Sequence, residues 1–181
     1  EPAIATFRLA SGRVTRSHQL MACLAASEIL ATHPRVDHRR IGATGVSLGG
    51  WLSTQTALLS DRIQVVADFG RKTLLVHDGT TVENFQGIRD LCHILPGMHG
   101  LCERNLLALA CCPHTLLAGH GKHDAESERD GPTHFQKLFA SQYAALGQRK
   151  DFEYLAHGGG DTMPADEVIN YFRQSLALDA K

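Results

Sequence analysis

From Ser17 to Thr32, the apolar or small positions Leu20, Cys23, Leu24, Ser27 and Leu30 recur at three- and four-residue spacing, the period of a helix with one buried face. Pro34 closes that segment. The next run, Ile41-Gly42-Ala43-Thr44-Gly45-Val46, is too rich in glycine for a helix and suits a strand closely approached by its neighbours. Helical spacing returns from Leu48 to Leu59 through Trp51, Leu52, Thr56 and Leu59, so residues 40–59 predict strand, sharp turn, helix. Residues 62–69 are apolar and β-branched enough for a second buried strand.

Beyond Gly70 the pattern loses its period until 113, with Pro96-Gly97 breaking the middle and a short ordered piece expected at 105–110. A third strand is expected from His114 to Ala118, running into Gly119-His120-Gly121. A helix opened by Pro132 then carries Phe135, Leu138, Phe139, Gln142 and Leu146 on one face, with Gly147 as its stop. Phe152 to Ala156 gives a fourth strand, and Pro164 starts a last helix bearing Val168, Phe172 and Leu176. No internal repeat interrupts this order. Strands alternating with helices predict one α/β domain over 1–181, with a mostly parallel sheet flanked by helices and an irregular excursion at 71–113.

Composition narrows the classes of function. The 181 residues are 43% hydrophobic and 20% charged, ordinary values for a globular chain long enough to bury a core. With 18 basic and 19 acidic residues and a formal charge of −1, no cationic excess draws the chain to nucleic acid or anionic lipid. The apolar runs fall well short of the roughly 20 residues that span a bilayer, and no charged-then-apolar leader opens the chain, so no membrane association is expected. The five cysteines, Cys23, Cys92, Cys102, Cys111 and Cys112, are odd in number and include an adjacent pair, which suits free thiols in a reducing, cytoplasmic compartment. The chain begins at Glu1-Pro2 rather than methionine, which suggests a processed or partial sequence.

The candidate chemistry centres on Gly45-Val46-Ser47-Leu48-Gly49, which satisfies the Gly-x-Ser-x-Gly pattern of a nucleophile elbow. There the serine takes a strained conformation, and the residues two before and two after are expected to be glycine to avoid collision. Ser47 would then stand at the end of a strand, beside the first turn of a helix, where the Leu48 N–H and the positive helix end can hold an oxyanion. The bare pattern is weak, since a glycine-lined turn with an incidental serine would look the same; the flanking strand and helix favour the elbow.

A serine hydroxyl also needs a base, and the base an orienting acid. Asp124 lies a short loop beyond the third strand and fits the acid position, although an exposed loop carboxylate beside Glu126, Glu128 and Asp130 is the alternative. His157 follows the fourth strand and is either the general base or a cap on the strand end. Cys92, His93, His99 and Cys102 cluster among eleven histidines, but their spacing matches no standard zinc signature, and neither a metal nor another cofactor is expected.

These residues resemble the α/β-hydrolase superfamily, nearest to its acetyl-xylan-esterase-like and dienelactone-hydrolase-like branches. The resemblance is carried by Pro34-Arg35-Val36-Asp37 leading into Arg40-Ile41-Gly42, by the elbow through Gly50, by Cys92-His93-Ile94-Leu95-Pro96-Gly97, and by the loop ending at Asp124. It implies the C-terminal portion of that fold, Ser47 as nucleophile, Asp124 as acid, and hydrolysis of small esters. Two departures accompany it. The final loop of relatives typically reads Gly-Gly-His where this chain has Gly159-Gly160-Asp161, so that either His157 substitutes for the base or the triad is broken. The strands and the second oxyanion loop that relatives place before the elbow have no counterpart here. The first strand would then expose an edge for a partner subunit (as in a homo-oligomer), a swapped segment or a separate fragment to cover. The competing expectation is a catalytically inactive remnant serving as an interaction domain.

Overall fold

The computed structural model describes residues 7–8, 10–70, 114–124 and 131–177. The excursion 71–113, with its Cys92–Cys102 cluster and the expected order at 105–110, lies outside the described residues, as do Glu126, Glu128 and Asp130. The described elements are α1 (Thr15–Thr32), β1 (Ile41–Val46), α2 (Leu48–Leu59), β2 (Ile63–Phe69), β3 (Thr115–Gly121), α3 (Gly131–Ala145), β4 (Phe152–His157) and α4 (Ala165–Ser175). The four strands form one all-parallel sheet in the order β1-β2-β3-β4, and each strand is joined to the next through a segment long enough to cross over. Among the described residues no helix is long and apolar enough to cross a membrane.

Alternation along the strands divides the core in two. Ile41, Val66, Leu116 and Ala118 face Ala57 of α2 and the α3 residues Phe135, Phe139 and Tyr143. Val65, Ala67, Phe69 and Leu117 face Val168, Tyr171 and Leu176 at α4. The sheet is therefore covered on both sides, as a parallel sheet with apolar strands requires.

Several elements depart from the sequence expectation. β3 runs on to Gly121 and β4 to His157, because the pairing continues through His120↔Ala156 and Gly121↔His157; His157 is the last strand residue rather than the first one after it. On α3 the buried face is Phe135, Phe139 and Tyr143, while Gln142 and Leu146 are exposed. Tyr143 qualifies as core because its hydroxyl donates to the His114 carbonyl at 2.6 Å, leaving the ring free to pack on Phe152. On α1 the buried side chains are Thr15, Arg16 and Ser27, whereas Leu30 is 48% exposed. The rest of the expected face holds, with Ser27 buried and Leu20, Cys23 and Leu24 half-buried, and the Arg16 guanidinium adds a contact 4.2 Å from the Trp51 ring centre while Ser27 lies beside Ser60.

Candidate active site

Ser47 joins β1 to α2 with φ 53° and ψ −114°, a left-handed conformation that L-residues rarely adopt and that costs roughly 1–3 kcal/mol. Two backbone hydrogen bonds over-determine it. Its N–H donates to the Phe69 carbonyl at 2.8 Å, tying the turn to the end of β2, and its carbonyl accepts from Trp51 N at 3.1 Å, opening α2. The side chain is exposed at the C-terminal end of the sheet. Leu48, the first helical residue, presents its N–H at the positive end of α2.

The glycine requirement falls differently from the expectation. A Cβ at Gly45 would strike the backbone of Gly49, so Gly45 must lack one; a Cβ at Gly49 would meet nothing. The second restricted position is Gly50, where a Cβ would collide with Asp68 Oδ1 and lie 3.0 Å from the Gly45 and Phe69 carbonyl oxygens. The close approach between helix and strands therefore occurs one residue further along α2.

Asp124 follows β3 and is buried, 7% exposed, so the loop carboxylate is not a solvated one. Its N–H donates to Gly121 O at 3.1 Å. The loop is tied to the segment after β4 by Lys122 N donating to His157 O at 2.8 Å and His123 N to Gly159 O at 3.0 Å.

His157 has both ring nitrogens bonded to its own segment. Nδ1 accepts from Gly159 N at 3.1 Å, and Nε2 lies 3.1 Å from the Thr162 carbonyl. With Nδ1 accepting, Nε2 is left to donate to the Thr162 carbonyl. The ring edge packs on Phe69 with centroids 5.8 Å apart, which places it on the α4 face of the sheet. Asp161 and the Ser47 backbone both border Gly70: a Cβ built there would lie 2.9 Å from Asp161 Oδ1 and 2.8 Å from Ser47 N. Gly70 itself has φ 102°, and its N–H donates to Gly119 O at 3.1 Å. Sequence reasoning passed over Gly70; a lone glycine closing an apolar strand was the available signal.

On the opposite face stands a polar group that the sequence did not single out. Asp68 is buried beneath Gly50, and the Tyr154 hydroxyl lies 2.9 Å from His120 Nδ1. Burial, with the Asp68 charge adding to it, pushes the Tyr154 phenol far above its ordinary value, so the hydroxyl stays protonated. Cys23, the cysteine among the described residues, is a free thiol, and no group of three or more His, Cys, Asp or Glu side chains among those residues could hold a metal ion.

No protein-family model and no curated protein sequence matches the chain. Solved structures do. A glucuronoyl esterase of carbohydrate esterase family 15 from Caldicellulosiruptor kristjansonii superposes with a TM-score of 0.66 at 19% identity, over 86% of this chain and 49% of its own. A methylesterase matches with a TM-score of 0.62 at 20% identity, over 88% and 35%. A puromycin-hydrolyzing peptidase of Mycobacterium tuberculosis matches with a TM-score of 0.55 at 21% identity, over 88% and 24%. The chain spans about half the length of the glucuronoyl esterases it matches. Its four-stranded parallel sheet and helices are thus part of an α/β-hydrolase fold, the fold of these esterases and peptidases.

Proposed function

We propose that this chain is a serine-dependent carboxylic ester hydrolase acting on small esters through an acyl-enzyme, with Ser47 as nucleophile, the Leu48 N–H as oxyanion donor and Asp124 as the acid member. The observation that carries the reading is the backbone of Ser47. A non-glycine residue held at φ 53° by two hydrogen bonds, between a strand end and a helix start, is the geometry that projects a hydroxyl toward a substrate. The fold similarity to esterases supports the reaction class. The proton acceptor belongs to the end of β4 and the turn that follows it, which carry His157 and Asp161.

The test is covalent capture. A fluorophosphonate probe should form an adduct that mass spectrometry places on Ser47, and Ser47→Ala should abolish both the adduct and p-nitrophenyl acetate turnover. An adduct elsewhere, or turnover unchanged in Ser47→Ala, rejects the assignment.

A second reading is favoured by one observation, the engagement of both His157 ring nitrogens by backbone groups. It makes the chain a silent hydrolase-like domain that serves as an interaction module, and a well-folded protein whose Ser47 never labels would support it. Under either reading we propose that the outer edge of β1 is covered by a second copy of the chain.

A further inference from the structure

Ser47 and Asp161 are 114 positions apart in the chain and converge on one small space. The missing side chain of Gly70 marks that space: a Cβ there would lie 2.9 Å from Asp161 Oδ1, 2.8 Å from Ser47 N and 3.1 Å from Ser47 Cα. The turn that carries Asp161 is held by backbone hydrogen bonds. Gly159 O accepts from His123 N at 3.0 Å, and Thr162 N donates to Gly160 O at 2.8 Å, bracketing Asp161 in a short turn. In that same turn His157 uses Nδ1 and Nε2 on Gly159 N and Thr162 O, so the imidazole shapes the loop that presents the carboxylate.

We propose that Asp161, and not His157, is the proton acceptor for Ser47, so that the catalytic pair is a hydroxyl and a carboxylate. This rests on the reading of Ser47 as nucleophile. In the first step the Ser47 Oγ–H proton passes to Asp161 as Oγ bonds to the ester carbonyl carbon, whose π pair moves onto the oxygen facing the Leu48 N–H. Collapse re-forms the carbonyl and breaks the bond to the alcohol oxygen, which leaves with the proton returned by Asp161. Water repeats the sequence on the acyl-serine. Its proton goes to Asp161, its oxygen to the carbonyl carbon, and collapse releases the acid while Ser47 Oγ takes the proton back.

His157 becomes a positioning residue in this arrangement, acting through the turn that holds Asp161. The two assignments differ in their pH dependence. A base works only when unprotonated, so kcat/KM falls on the acid side as the acceptor takes up a proton. For a carboxylate that fall lies near pH 4, and for an imidazole near about pH 6.5. The groups brought against the Asp161 turn are His123 from the loop after β3, with Asp124 next to it in the chain, His157 from β4, and the Ser47 end of α2 across Gly70. Asp68 lies beneath α2 on the opposite face.

The experiment measures p-nitrophenyl acetate turnover and fluorophosphonate labelling against pH. It uses the full chain as wild type, Ser47→Ala, Asp161→Asn, Asp161→His and His157→Gln, with circular dichroism confirming each fold. Asp161 is exposed, and Asn is its isostere, so that variant should fold. Expected are a wild-type acid limb in the carboxylate range rather than the imidazole range, a loss of about 100-fold or more in Asp161→Asn, and a limb in His157→Gln that stays where it was. Asp161→His should react faster, with its limb moved up toward pH 6.5. Wild-type rates in Asp161→Asn, or a wild-type limb near 6.5 that disappears in His157→Gln, would overturn the assignment. A wild type that does not react beside a reactive Asp161→His would also overturn it while leaving Ser47 as nucleophile. Absence of reaction at Ser47 in every variant would remove the nucleophile reading itself.

Discussion

Ser47 is the residue at which the chain departs most clearly from conformational comfort, and the cost of that departure can be measured apart from any chemistry. Glycine occupies φ 53° without the Cβ clash that penalises serine or alanine. Ser47→Gly should therefore raise the melting temperature, by relief of part of the roughly 1–3 kcal/mol held in the turn, less the entropy glycine adds to the unfolded chain. Ser47→Ala keeps the clash and should melt close to wild type. Equal melting temperatures for the two variants would mean that the turn stores no strain. At this scale the sequence was informative where the constraint is local: Gly45 and Ser47 sit within one turn of each other. It singled out Asp161 only through the resemblance, as the residue standing where relatives carry the base, and it did not single out Gly70, because the meeting of both with Ser47 depends on how β2 and β4 are ordered in the sheet.

Elements were legible to the extent that their burial follows from their own period. α2 runs over Leu48–Leu59 as its spacing predicts, although nearly every residue from Gly50 to Ala57 is buried rather than one stripe, because it packs on β1, β2 and α1 together. α4 also follows its pattern, with Val168 and Leu176 in the core and Asp166 and Glu167 in the first turn, where the helix dipole favours acids. The face of α3 was misjudged by a hydroxyl: Tyr143 counts as polar in a hydropathy pattern, yet with His114 O as partner it is fully buried. The strand ends at β3 and β4 were cut short because glycine and histidine weaken a strand signal that parallel pairing restores. The stack of Phe135 on Phe139, centroids 4.0 Å apart and both inaccessible, makes α3 part of the cover of one sheet face. Phe139→Ala should cost about 3–5 kcal/mol, a large share of the 5–15 kcal/mol typical of a whole domain. Urea denaturation would register this as a much lower midpoint; a change within a few tenths of a kcal/mol would show that α3 is not a stabilising cover.

For the whole molecule the decisive feature is the edge of the sheet at β1. Among the described residues no strand pairs with the outer side of Ile41–Val46, and that strand carries no charged residue to discourage pairing. α1, which lies just before it in the chain, adds exposed Met21 (63%) and Ile29 (68%). An unpaired apolar edge gains by burial, and two copies related by a two-fold axis would each present the same strand to the other, antiparallel, without leaving a free edge between them. Self-association should accordingly appear in sedimentation velocity as a mass rising with concentration from 19.7 kDa toward twice that value. Thr44 is exposed in the middle of β1, and a lysine there places a charge on the pairing strand. Thr44→Lys also gives up the hydrogen bond from Thr44 Oγ1 to Ala67 O, a loss of about 1 kcal/mol, so its folding must be checked by melting. The variant should remain at the single-chain mass at concentrations where the wild type has doubled. If the wild type stays monomeric throughout, a second copy is not what covers β1, and the edge is left for a different polypeptide to extend the sheet.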